Sequence, residues 1–111
     1  MSQKKQVGIR QKVAVILNQI VEEIPKKLNW IIRVDGHTDN TSMVSGAEFK
    51  DNWELSQARA LSVVRFMISD LGLPKTRLAA TGFGEFQPVS SGSSPDDLAQ
   101  NRRIEIKLTE K

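Results

Sequence analysis

Asn52, Ser56 and Arg59 stand at positions i, i+4 and i+7. On a helix those positions share one stripe. The stripe begins at a predicted helix N-terminus, whose free N–H groups favour an anion. A guanidinium such as Arg59 can hold a carboxylate through two parallel hydrogen bonds, which a lysine cannot do. Asp39 lies in the connection between a predicted strand ending near Asp35 and this helix. It is expected to fold back over the same end of the sheet. One anchored cation beside one anchored carboxylate suits a zwitterion, such as the ammonium and carboxylate of an amino acid. The same spacing also allows Asp39 and Arg59 to pair with each other and pin the loop, and spacing alone leaves both readings open.

Three other groupings imitate catalytic or cofactor sites. His37, Asp39 and a serine have the composition of a triad, but no Gly-x-Ser-x-Gly elbow presents a nucleophile. His37 is also the only histidine, and a zinc site completed by carboxylates alone is a poor match to the usual nitrogen-rich sets. Gly82-Phe83-Gly84 resembles the start of a dinucleotide loop, yet Gln87 occupies the third glycine position and no helix follows. No catalytic residues, metal site or cofactor are expected.

The elements that must position Asp39 and Arg59 are legible from periodicity. Ile9, Val13, Ile16, Leu17, Ile20 and Ile24 recur at helical spacing, and Pro25 ends that helix. Leu28 to Asp35 alternates as a half-buried strand. A polar connection from Gly36 to Asp51 follows, of a length uncommon in loops without a function. Asp51 and Glu54 form a capping box for a helix running to about Leu71, where Gly72 and Pro74 stop it. Its apolar stripe reads as Trp53, Leu61, Val64, Ile68 and Leu71, with Ala60 and Met67 alongside, which makes Trp53 a core residue. Leu78 to Phe83 reads as a second strand. Ser94-Pro95 opens a short helix to about Asn101. Arg103 to Thr109 is a third strand with Ile104, Ile106 and Leu108 facing in and Arg103, Glu105 and Lys107 facing out. The expected fold is α/β: a small mixed sheet with two main helices packed on one face.

At 111 residues the chain is one domain, expected over residues 9–109 behind a basic, poorly ordered leader of residues 1–8. With 39% apolar and 26% charged residues the composition is globular, and the absence of cysteine removes disulfides and thiolate chemistry. No apolar run approaches the roughly 20 residues that span a bilayer, and the N-terminus does not read as a signal peptide. Any export or membrane signal is therefore expected in other segments of a longer parent protein. The net charge of +3 is concentrated in residues 1–27, where six basic groups face Glu22 and Glu23. The remainder is close to neutral and the chain has no tyrosine, which argues against a nucleic-acid surface.

Four segments, in order, resemble the OmpA-like peptidoglycan-binding domain: Asp35-Gly36-His37-Thr38-Asp39-Asn40; Asn52-Trp53-Glu54-Leu55-Ser56-Gln57-Ala58-Arg59-Ala60; Arg77-Leu78 with Gly82-Phe83-Gly84-Glu85; and Asn101-Arg102-Arg103-Ile104-Glu105-Ile106. The resemblance spans roughly Ile9 to Leu108. It covers the C-terminal domain of outer-membrane protein A, the peptidoglycan-associated lipoprotein and the flagellar stator protein MotB. It implies a non-catalytic module of the periplasm, in a Gram-negative-type cell envelope, that binds the diaminopimelate residue of the peptidoglycan peptide stem. By the same matching, Asp39 and Arg59 are the ligand-binding pair, flanked by Thr38 and Asn40, by Asn52, Leu55 and Ser56 at the helix start, and by Arg103 on the last strand. His37 is read as a hydrogen-bonding brace of its loop, and Asn101 and Arg102 as residues that fix the short helix to the sheet.

Two features depart from the family pattern. The family's opening strand is not recognisable in Met1 to Gly8, so an unpaired sheet edge is expected, which a second copy would cover as a homodimer. The loop from Thr41 to Lys50 is longer than in the lipoprotein branch and closer to stator-like proteins. The alternative function is accordingly a structural or dimerisation module with an incomplete ligand pocket.

Overall fold

The computed structural model describes residues 12, 15, 16, 19, 22, 29–44 and 47–110. It contains strand β1 (Trp30–His37), helix α1 (Asn52–Ser69), a 3-10 turn (Lys75–Arg77), strand β2 (Leu78–Gly82), helix α2 (Pro95–Asn101) and strand β3 (Arg103–Glu110). Of the expected first helix, Lys12, Val15, Ile16, Gln19 and Glu22 are helical and exposed. The rest of that helix, like the leader of residues 1–8, lies outside the described residues.

The sheet is mixed, in the order β2-β1-β3. β1 and β2 run parallel, with Val34 opposite Ala80 and Gly36 opposite Gly82. Parallel neighbours require a crossover, and α1 supplies it. β3 returns antiparallel to β1, pairing Gly36 with Ile104 and His37 with Arg103. This topology brings the carboxyl ends of β1 and β2, the first turn of α1 and the start of β3 to one end of the sheet.

Both helix starts are capped as their sequences specify. The Asp51 carboxylate accepts from the Glu54 N–H at 2.9 Å, while Glu54 accepts from the Lys50 N–H, so the expected box is displaced by one residue. At α2, Ser94 and Asp97 form the reciprocal pair, with Pro95 in the first turn. The start of β1 is clamped by Arg77, which donates to the Trp30 carbonyl at 2.9 Å and lies over the Trp30 ring.

The core comprises Val34, Ala60, Val64, Met67 and Leu73, with Val63, Ile68, Leu71, Leu78 and Ala80 packed around it. The inward stripe of α1 is therefore Asn52, Ser56, Ala60, Val64 and Met67. Trp53 is not in it: the indole is 51% exposed, against the core position expected from the helical wheel. The reason is a close approach of backbones. A Cβ at Gly36 would collide with the Ser56 carbonyl, and one at Gly82 would lie 2.6 Å from the Gln57 nitrogen. A helix seated this tightly has room on its inner side only for small residues at its start.

Ile104, Ile106 and Leu108 share the helix-side face with Val34, by their register with β1. They remain 38%, 49% and 51% exposed, because α1 covers the β1 and β2 half of that face. Segment 9–24, the expected first helix, falls mostly outside the described residues. Among the described residues no strand pairs with the outer edge of β3.

Candidate functional site

Asp39 follows β1 at the end of the sheet where the elements converge. The turn holding it is fixed at several points: the Thr38 N–H donates to the Gly84 carbonyl at 2.9 Å, and the Thr38 hydroxyl donates to the Asp39 carbonyl at 2.8 Å. Asn52, the first residue of α1, donates through one amide nitrogen to the Asp39 and Thr41 carbonyls and to a Glu85 carboxylate oxygen, at 3.2, 3.0 and 3.3 Å. Asn52 thus ties three segments together, although it is itself buried. Ser56 is fully committed within the fold, accepting from the Gly84 N–H and donating to the Trp53 carbonyl. Its role is to seat the Gly82–Glu85 turn on α1. Leu55 is half-buried and Asn40 is exposed.

The Asp39 carboxylate accepts from the Thr41 N–H at 2.9 Å on one oxygen and from Arg102 at 2.7 Å on the other. Burial pushes this carboxyl up, but the Thr41 N–H and the Arg102 guanidinium outweigh it and hold it below the ordinary aspartate value. Asp39 is therefore anionic at neutral pH. A carboxylate offers about four lone-pair directions, so Asp39 keeps capacity for a further donor.

Arg59 is exposed and, among the described residues, makes no hydrogen bond or ion pair. The loop-pinning Asp39–Arg59 pair is absent: Asp39 is held by Arg102. Arg59 sits two turns along α1 from Asn52, a rise of about 10 Å, and a helical side chain leans back toward the N-terminus. Asp39 thus precedes α1 as a fixed anion, and Arg59 stands two turns into α1 as a cation without a partner among the described residues.

Arg102, read from the sequence as fixing the short helix to the sheet, holds Asp39 instead, and Arg103 lies elsewhere. Arg103 projects from the reverse face, where it bonds Glu105 at 2.5 Å and the carbonyls of Gln87 and Asn101 at 2.9 and 3.3 Å. The period-two pattern of β3 contained the distinction, because residue 102 has the parity of Ile104 and Ile106 and residue 103 does not. Asn101 fixes the 87–92 loop, accepting from the Val89 and Ser90 N–H groups and donating to the Ser90 carbonyl.

On that reverse face a cavity of about 250 Å³ is lined by His37, Phe83, Gln87, Pro88, Val89, Arg103, Glu105 and Lys107. His37 is buried and stacks on Phe83 with ring centroids 5.0 Å apart. Neither of its ring nitrogens has a hydrogen bond, so it braces the sheet by stacking and not by the expected hydrogen bond. Burial and the nearby Arg103 lower its pKa, against the opposing pull of Glu105 and Asp35. The folded state keeps this histidine neutral while an unfolded chain would take up a proton below about pH 6.5, so stability falls as pH drops through that value. The lowered carboxyls of Asp39 and Glu105 act in the same direction further toward acid, their stabilisation being lost as pH falls below about 4. Thermal melts should therefore show a midpoint that declines between pH 7 and 5, and His37→Phe, which keeps the stack without the proton site, should flatten that interval.

The OmpA family model matches residues 3–102. The chain belongs to the OmpA family. Among relatives, it is 36% identical over 75 residues to motility protein B of Bacillus subtilis, covering 68% of this chain and 28% of that protein. It is 32% identical to the peptidoglycan-binding protein ArfA of Mycobacterium tuberculosis, covering 82% of this chain and 26% of that protein. The chain thus spans less than a third of the length of these two relatives. The periplasmic domain of Helicobacter pylori MotB has the same fold, with a TM-score of 0.72 and 27% identity over 92% of this chain and 65% of that one. The OmpA-like architecture expected from the motifs is the observed one; by name, ArfA is a peptidoglycan-binding protein and the Helicobacter pylori structure is a periplasmic domain. These relatives come from Bacillus and Mycobacterium as well as Helicobacter, so the similarity does not select the Gram-negative type of envelope.

Proposed function

We propose that this OmpA-family domain binds peptidoglycan without cleaving it, gripping the meso-diaminopimelate residue of the peptide stem and so anchoring a longer envelope protein to the wall. The observation that carries this reading is the state of the two charges. Asp39 is held anionic with acceptor capacity to spare, and Arg59, two turns into α1, has no partner among the described residues. The Arg59 guanidinium would take the ligand's carboxylate while Asp39 takes its ammonium, with Arg102 holding Asp39 in place. Thr38 and Asn52 position the turn, Ser56 seats α1 against it, and Asn40 and Leu55 border the pocket. Arg103 contributes from behind, through the 87–92 loop. Charge-assisted contacts of this kind contribute about 1.5–3 kcal/mol each, so the two together hold a single stem only weakly, at about millimolar to tens of micromolar. Several copies of the parent protein would turn that into firm attachment. The domain would act in the periplasm or the equivalent wall space.

Sedimentation with purified sacculi tests the proposal. The expected result is retention in the pellet with no soluble fragments released. Fragment release would make the protein a hydrolase, and absence of retention would remove the wall-binding function.

One observation favours a second role. Among the described residues the outer edge of β3 is unpaired, and with Ile104, Ile106 and Leu108 half-exposed beside it, it is a surface to which a second copy would add. Light scattering that shows a strict monomer at high concentration would eliminate this dimer.

A further inference from the structure

Trp53 and Phe86 form a solvent-facing aromatic pair at the start of α1. Their ring centroids lie 4.9 Å apart at an interplanar angle of 30°, yet the residues remain 51% and 55% exposed. Mutual contact has not hidden them. The pair is seated on the Gly84 turn, where a Cβ would meet the Phe86 ring at 3.3 Å and Trp53 at 3.5 Å. That turn is itself rigid, because the Gly84 N–H donates to Ser56 and its carbonyl accepts from Thr38. The rings are therefore held in place before anything binds, and a preorganised surface loses little entropy on binding.

Resting on the stem-binding reading above, we propose that Trp53 and Phe86 are a stacking platform for a pyranose ring of the glycan strand that carries the stem. Four features point to a neutral sugar. An aromatic face carries negative charge density that attracts the polarised C–H groups of a pyranose. Two half-exposed rings are a small patch beside the roughly 800 Å² per partner that a stable protein interface buries. The charged residues next to the pair in sequence are Asp51, Glu54 and Glu85 against Lys50, an acidic balance that opposes phosphates and suits uncharged N-acetyl sugars. The exposed Glu54 and the half-buried Glu85 also supply carboxylate oxygens of the kind that accept from sugar hydroxyls.

Position is the fifth argument. Trp53 is the neighbour of Asn52, whose side chain bonds the Asp39 carbonyl. Diaminopimelate is the third residue of its stem, and two intervening residues span about 7 Å when extended. The sugar of a stem gripped at Asp39 is thus within reach of the platform.

Isothermal titration with two synthetic ligands tests the inference: the tripeptide ending in meso-diaminopimelate, and the same tripeptide on its N-acetylglucosamine–N-acetylmuramic acid disaccharide. The protein as it stands should bind the disaccharide form about tenfold tighter. Trp53→Ala and, separately, Phe86→Ala should each remove that advantage and leave tripeptide affinity unchanged, with circular dichroism confirming the fold. Equal affinities for the two ligands, or an advantage that survives both substitutions, would overturn the platform while leaving stem binding intact. The reverse case is also readable. Trp30 is only 6% exposed, so a fluorescence response to stem-free glycan strands that Trp53→Phe alters reports on position 53. Such a response without any tripeptide binding would uphold the platform and sink the stem site. Silence toward all three ligands would sink both.

Discussion

Arg59→Ala is expected to weaken binding of a diaminopimelate-bearing peptide by about 10- to 100-fold, the worth of one or two charge-assisted hydrogen bonds. Its melting temperature should stay within about a degree or two of the parent, since exposed side chains away from caps and cores change stability by about 0.5 kcal/mol or less. The prediction rests on Arg59 having no hydrogen bond or ion pair among the described residues. Asp39→Ala should lose binding to a similar extent but should also lose stability. That carboxylate receives the Thr41 N–H and the Arg102 guanidinium, and its removal leaves both without their acceptor. The stability cost is expected at about 1–3 kcal/mol. Binding measured by titration, set beside thermal melts of the same variants, separates the two residues: one acts on ligand alone, the other on ligand and fold. An Arg59→Ala protein that binds normally would take the ligand site away from this end of the sheet.

Gly36→Ala carries the largest expected effect on the fold. The added Cβ has no flexible neighbour to displace, because what it would meet is the Ser56 carbonyl in the backbone of α1. Overpacking against a side chain typically costs about 1–3 kcal/mol, and a rigid backbone places this site at or beyond the upper end. A cost of about 3 kcal/mol lowers the melting temperature of a domain this size by about 10 °C or more. Lifting α1 would also disturb the hydrogen bond between Ser56 and the Gly84 turn, so wall binding should fall together with stability. Ala60→Gly, on the same inner face, removes a methyl and leaves the backbones apposed, and should not separate α1 from the sheet. A Gly36→Ala protein that melts like the parent would show that the helix and β1 are not held as closely as described.

Much of the fold could be read before the structure. Strong periodicity and unambiguous punctuation placed α1, α2 and all three strands within about two residues of their observed ends, since Asp51, Ser94-Pro95 and Gly72 each act through local geometry. What escaped was tertiary. Apolar counting put Trp53 in the core, because a helical wheel carries no information about Gly36 and Gly82 drawing the helix in until only small residues fit beneath it. The inward place of Ile104, Ile106 and Leu108 was correct as to face, but α1 alone does not cover β3. At the candidate site, residue chemistry and spacing singled out Asp39 and Arg59, and the ligand role of both is part of the proposal. The guanidinium that holds Asp39 was not singled out, because the resemblance drew attention to Arg103 and the strand's own parity was not applied to Arg102. His37 was misread for a similar reason. A polar ring in a turn suggests hydrogen bonds, while its partner Phe83 lies 46 positions away in sequence and meets it only through the sheet.

A crystal structure grown with free meso-diaminopimelate addresses the central claim most directly. The account predicts density for the amino acid at the start of α1, its carboxylate on the Arg59 guanidinium and its ammonium on the Asp39 oxygens opposite Arg102. Ligand bound at any other surface, or an empty site at saturating concentration with Arg59 turned away from Asp39, would contradict it.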